Sequence, residues 1–150
     1  MNRIKSIFVM LVMALASVSC TEETPVIEYL DVTPNNLSGK WQLVEWNGTP
    51  LAENTYFYIE FVRKDRKYTI WQNFDSMGSL PHKVTGIYNI GTDVELGAIL
   101  SGMYDYDEGL WAHDYEVNDL TGSAMVWVAT DEPAFVQKFI RVESLPEDLK

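Results

Sequence analysis

This 150-residue chain contains two histidines, His82 and His113, and one cysteine, Cys20. That inventory narrows the chemistry open to it. Neither histidine stands at i, i+2 or i+4 from another strong ligand in a familiar metal-binding pattern, so a histidine-rich metal site is excluded. The stretch "YDYDEG" crowds Asp105, Asp107 and Glu108 together as calcium loops do. Calcium, however, takes about six to eight oxygens in a set order, and no further ligand register follows Gly109. A solvated turn fits these residues better. A Ser/His/Asp triad is available by inventory, but there is no Gly-x-Ser-x-Gly elbow and no glycine-rich phosphate loop. No pattern argues for catalysis, a metal or a cofactor.

The remaining reactive group is the lone thiol. "MNRIKSIFVMLVMALASVSC" opens with Arg3 and Lys5, continues as an apolar run from Ile7 to Ala16, and ends in small residues and Cys20. This is the pattern of a secretory signal, too short to span the ~30 Å hydrocarbon core as a helix. "SVSC" resembles the lipobox of bacterial lipoproteins, with Ser17 where leucine is commonest. The resemblance implies cleavage before Cys20, a lipid on its sulfur, and a mature protein held in the membrane by that lipid. It assigns residues 1–19 to a signal peptide, with a plain secreted protein cut near Ala16 as the alternative. It places the protein at the bacterial outer membrane, on its surface or its periplasmic face. Glu22 and Glu23, close behind the cysteine, are similar to the acidic signal for surface display in lipoproteins of the Bacteroidota.

Without residues 1–19 the chain keeps 9 basic against 22 acidic residues, a net charge of −13. Such a chain is repelled by phosphate backbones, which argues against nucleic-acid binding. Residues 20–36 carry acidic residues, prolines and no clear period, and read as a lipidated N-terminus and flexible tether of roughly 20–25 Å.

From Leu37 the chain reads as strands. The expected segments are 40–46, 56–63, 67–73, 83–90, 94–104, 110–118, 123–130 and 135–142, with Gly, Pro, Asn and Asp clustered between them. Period two dominates, and no helix is expected. Val94, Leu96, Ala98, Leu100, Gly102 and Tyr104 fall on one face. Phe57, Ile59 and Phe61 share another, as do Trp111, His113, Tyr115 and Val117. The last two strands are apolar on both faces, which leaves their orientation open. Eight short antiparallel strands joined in sequence predict an all-β fold, an up-and-down β-barrel, with a sandwich as competitor.

"LSGKWQLVEWNGTP" resembles the first strand of a lipocalin-like domain, with Gly39-Lys40-Trp41 as its Gly-x-Trp. "YFYIEFVRKDRKYTIWQ" and "YEVNDLTGSAMVWVATDEPAFVQKFIRV" are similar to further strands of the short lipocalin-like domains of Bacteroidota lipoproteins, ending in a Phe-x-Arg at Phe139–Arg141. The resemblance covers residues 37–143, with 144–150 left as a C-terminal tail. It implies that Gly39 admits the chain to the barrel floor, that Trp41 plugs it, and that Arg141 lies across Trp41. The domain is shorter than a full lipocalin, and no C-terminal helix is expected.

A barrel of this size is filled by side chains or holds one small ligand. Phe57, Ile59, Phe61, Tyr68, Tyr88, Tyr104, Trp111, His113 and Tyr115 are the candidate lining. Their bulk favours a filled interior, with a pocket at the end away from Trp41 as the alternative. Tyr56, Tyr58 and Trp71 fall on the outside, as a docking patch or beneath other segments. "DSM" resembles an O-glycosylation acceptor in Bacteroidota, which would make Ser76 the acceptor. The reading is a non-catalytic envelope protein that binds a small apolar ligand or an envelope partner. The alternative is an accessory subunit of a surface complex with a filled barrel.

Overall fold

A computed structural model of the chain describes residues 26–74, 82–106 and 108–149. Cys20, Ser76 and Asp107 lie outside the described residues. Nine strands follow in order: β1 Gly39–Trp46, β2 Thr49–Pro50, β3 Phe57–Val62, β4 Lys67–Gln72, β5 His82–Asp93, β6 Gly97–Tyr104, β7 Tyr115–Asn118, β8 Ala124–Ala129 and β9 Val136–Val142. Each of β3 to β9 pairs antiparallel with its neighbour in sequence, and β1 pairs with both β3 and β9. The sheet therefore closes on itself as an eight-stranded up-and-down barrel, lipocalin-like in architecture, and closure removes its edges. The two-residue β2 is a spur on β1, folded back at Asn47-Gly48. Both turn residues take positive φ, 49° and 77°, as a tight hairpin of this type requires.

Alternation along the strands decides what enters the barrel. Phe57, Ile59 and Phe61 point in from β3, and Tyr68 and Ile70 from β4. Tyr88, Leu100, Tyr115 and Val117 continue the core around the barrel. β8 and β9, unoriented in the sequence, send in Met125, Trp127 and Ala129, and Gln137 and Phe139. Outward positions carry paired charges: Lys40–Glu60 at 3.1 Å and Glu45–Lys138 at 2.7 Å, each across a strand pair.

One irregularity redirects a large side chain. Register between β1 and β9 runs Leu43↔Phe139, then Glu45↔Lys138 and Trp46↔Gln137, so Val44 is a bulge. Strict alternation from Leu43 would send Glu45 in and Trp46 out. The bulge reverses this, leaving Glu45 to its lysine and turning Trp46 inward.

Several expected boundaries are corrected. Val94 and Leu96 are not on an inward face; they sit in the β5–β6 turn, 101% and 41% exposed. Asp93 caps that turn, its carboxylate accepting from the backbone N–H groups of Glu95 and Leu96 at 2.8 and 2.9 Å. Those bonds hold the Asp93 carboxyl below its ordinary range. Leu110–Asp114 is not a strand either; its backbone joins β6 at the Met103↔Leu110 bridge and the Trp111 N–H to Gly102 carbonyl bond.

The expected tether is docked over its last part. The Leu30 N–H bonds to the Leu120 carbonyl at 2.7 Å, and Leu30 and Val32 pack on the core. Then comes a single helical turn, α1 (Pro34–Leu37), with Thr33 as N-cap and proline in its first turn. The expected tail likewise contributes buried Leu145, followed by a 3-10 turn at Glu147–Leu149. Tyr58 faces outward yet is only 8% exposed. Burial, and then the nearby Asp148 charge, raises its phenol pKa.

Candidate functional site

The two ends of the barrel differ. At one, Trp41 is fully buried and its indole N–H bonds to the Leu37 carbonyl at 2.8 Å. Arg141 spreads over the ring, its guanidinium carbon 4.1 Å from the centroid. The same guanidinium donates to the carbonyls of Ser38, Asn36 and Gly122 at 2.6, 2.7 and 2.8 Å. Desolvation lowers its pKa from the ordinary value. Gly39 holds φ +122°, and a Cβ there would lie 2.5 Å from Arg141 Nη1. A side chain at position 39 is thus opposed twice, by backbone and by space. Above this floor Leu43, Ile59, Phe61, Leu100 and Phe139 are all at most 1% exposed. The lower half of the barrel is filled.

The other end is open among the described residues. A cavity of about 330 Å³ lies there, bounded by the last residues of β1 and β4 and the first of β3 and β9, with Tyr104 and the Trp111–Tyr115 segment opposite. Eight aromatic side chains meet it: Trp46, Phe57, Phe74, Tyr104, Trp111, Tyr115, Trp127 and Phe135. Seven of them pack on one another as a continuous wall, and Tyr104 joins through Tyr68. Trp46 contacts Phe74 and Phe135 at 5.1 and 4.9 Å between centroids, and Trp111 stacks on Trp127 at 5.8 Å and 28°.

Trp111 owes its place to the irregular segment before β7. Its indole lies where a side chain on Gly102 would be; a Cβ at that glycine would overlap the ring. Its Nε1–H donates to the Tyr68 hydroxyl at 2.9 Å, and that hydroxyl donates on to the Met103 carbonyl at 3.3 Å. Burial raises the Tyr68 phenol pKa well above its ordinary value, opposed by the Trp111 hydrogen bond.

Polar groups on the cavity are few. His113 stands at the rim, its ring 4.8 Å from Phe135, with Nδ1 2.7 Å from Asp131 Oδ1. The bond to His113 keeps the Asp131 carboxyl below its ordinary range. An ionised carboxylate only accepts, so Nδ1 carries the proton and the other ring nitrogen is left for the cavity. Gln72, the second polar side chain on the wall, lies 2.9 Å from His82 Nε2. Gln137 is the third, 5% exposed and lining the cavity, and its carboxamide has no hydrogen-bond partner among the described residues. Among the described residues no three His, Cys, Asp or Glu side chains gather as metal ligands would.

The nine candidate lining residues therefore divide. Phe57, Tyr104, Trp111, His113 and Tyr115 line the cavity, whereas Ile59, Phe61, Tyr68 and Tyr88 belong to the filled half below. Tyr88 makes an edge contact with Phe61 at 5.0 Å, and its buried hydroxyl finds no partner among the described residues. Trp46, Phe74, Trp127, Phe135, Gln72 and Gln137 were not among the candidates. Gln137 had a legible signal: with Arg141 inward, alternation sends residues 139 and 137 inward too. Trp46 had none, because a bulge is not visible in an alternation count.

A second cleft of about 300 Å³ lies along β5 and β6 near Met103 and Leu110. It borders an outward apolar row in which register joins Val62 through Lys67 to Ile87, Met103 and Leu110.

Compared with known proteins, the sequence matches no family model, and no curated protein matches it significantly.

Proposed function

We propose that this chain is an exported, lipid-anchored binding protein that holds a small, largely apolar molecule in the open end of its barrel and performs no catalysis. The observation that carries the reading is the aromatic cavity of about 330 Å³ above a filled floor. An interior meant only for stability has no use for an unfilled half, since each void forfeits dispersion contacts. Cavities at the mouths of β-barrels, lined by aromatic groups with a few polar atoms, are where such proteins take ligands. A site for nucleophilic catalysis by a hydroxyl or thiol would need a serine, threonine or cysteine beside His113, and none lines the cavity among the described residues. Anchoring rests on the signal-like N-terminus and Cys20.

Isothermal titration of the full chain with naphthalene tests this reading. Saturable binding that disappears in Trp111→Ala, with the barrel still folded by circular dichroism, is the expected result. Absence of binding to the folded wild type by naphthalene and by its polar two-ring analogue 2-quinolone alike would overturn it.

The alternative, an accessory subunit of a surface complex, is favoured by the outer apolar row. Val62, Ile87, Met103 and Leu110 are 43%, 40%, 45% and 73% exposed. On that reading Met103→Lys would release a partner from the native complex and leave the cavity unaffected.

A further inference from the structure

The cavity is not uniformly apolar, and its exceptions limit what can occupy it. Gln137 is 5% exposed, in register between Trp46 and Trp127, and its carboxamide has no hydrogen-bond partner among the described residues. Tyr115, whose ring lies 5.1 Å from Trp127, is 8% exposed, and its hydroxyl also has no partner there. In an open cavity, water serves such groups. A wholly apolar occupant would expel that water and leave them unpaired, which opposes binding. The occupant must therefore bring hydrogen bonds of its own.

Charge narrows the class further. No carboxylate, ammonium or guanidinium lines the cavity among the described residues. An ionised ligand would enter an aromatic pocket whose one imidazole, His113, is already paired with Asp131, at a large desolvation cost. Size and shape complete the description. A cavity of about 150 Å³ holds one benzene ring, so 330 Å³ suits about two fused rings. Walls formed by Trp111, Trp127 and Tyr115 favour a flat ring that can pack against their faces.

Taking the cavity as the ligand site proposed above, we infer that its occupant is an uncharged, flat, two-ring molecule bearing a lactam or amide edge that pairs with the Gln137 carboxamide. A lactam presents N–H beside C=O, and a carboxamide presents the matching acceptor and donor, so two antiparallel hydrogen bonds form at once. Tyr115 then supplies a further donor to the same edge or its neighbour. His113, with Nδ1 committed to Asp131, offers its other nitrogen at the rim.

Isothermal titration of the full chain with three probes of equal ring size tests this inference: naphthalene, 2-quinolone and 2-naphthoate. We expect 2-quinolone to bind about tenfold or more tightly than naphthalene, as two net hydrogen bonds would give, with 2-naphthoate the weakest. Gln137→Met should abolish the quinolone preference and still bind naphthalene, which also reports that the pocket is intact. Equal binding of naphthalene and quinolone, tighter binding of naphthoate, or a preference that survives Gln137→Met would overturn the inference and leave the ligand site standing. Failure of all three probes to bind folded wild type would overturn the ligand site itself. Should Gln137→Met not fold, the wild-type ratio and its reduction in Tyr115→Phe decide the matter.

Discussion

Arg141 lies across the face of Trp41 at 4.1 Å and ties three backbone carbonyls together beneath the barrel. One side chain thus joins β9, the docked segment at Asn36–Ser38 and the turn at Gly122 over the plug on β1. Stacking adds about 0.5–2 kcal/mol to this arrangement. The bonds to Asn36 and Ser38 also fix where the chain enters β1.

Trp41→Ala should therefore cost about 3–5 kcal/mol through the cavity it leaves. Arg141→Met keeps the apolar stem and loses the donors, with an expected cost of about 2–4 kcal/mol. Chemical denaturation measures both. A Trp41→Ala variant as stable as wild type would contradict the plug.

Below the cavity, Tyr68→Phe removes the acceptor of the Trp111 indole N–H. The expected cost is about 1–3 kcal/mol for the group left unpaired, together with weaker naphthalene binding as Trp111 loosens. Gly102→Ala should be worse, because the added methyl overlaps the indole itself. Titration calorimetry and denaturation of the two variants, taken together, check the ordering.

Alkaline pH should find the buried phenols. Burial raises Tyr68 and Tyr115 above the ordinary value of 10.0. The folded chain thus holds these protons more tightly than the unfolded one. Their contribution to stability is fully present below pH 10 and is lost as pH rises through the folded values. Near-ultraviolet tyrosinate absorbance should show both ionising after the exposed tyrosines, as the barrel unfolds. Titration of all eight tyrosines together near pH 10 in a folded barrel would contradict this.

The membrane reading stands apart from the fold and has its own test. Cys20→Ser should abolish incorporation of labelled fatty acid and move the protein from the membrane fraction to the soluble one. Unchanged partitioning would contradict anchoring at Cys20.

The barrel was legible because its strands alternate with period two between strong turn residues, and because Asn47-Gly48 admits the positive φ of a tight hairpin. The floor was legible through Gly39, Trp41 and Arg141, and the geometry of Gly39 shows why no Cβ is tolerated there. Half the cavity wall was not. Trp46 enters by a bulge at Val44, which breaks the count on which alternation relies. Trp127 sits in a strand apolar on both faces, where pattern carries no direction, whereas Phe135, like Gln137, follows from Arg141 by alternation. The split between filled and open halves was hidden too, since inward residues do not announce how far along the barrel axis they lie. Val94 and Leu96 misled for the opposite reason: their alternation is real, but Asp93 turns the chain before they can join a strand.

The most direct test is native mass spectrometry of the protein purified from its native source. A bound molecule the size of two fused rings is predicted, retained by wild type and lost in Trp111→Ala. A polypeptide with no molecule held non-covalently, together with no binding of naphthalene or 2-quinolone to the same preparation, would contradict it.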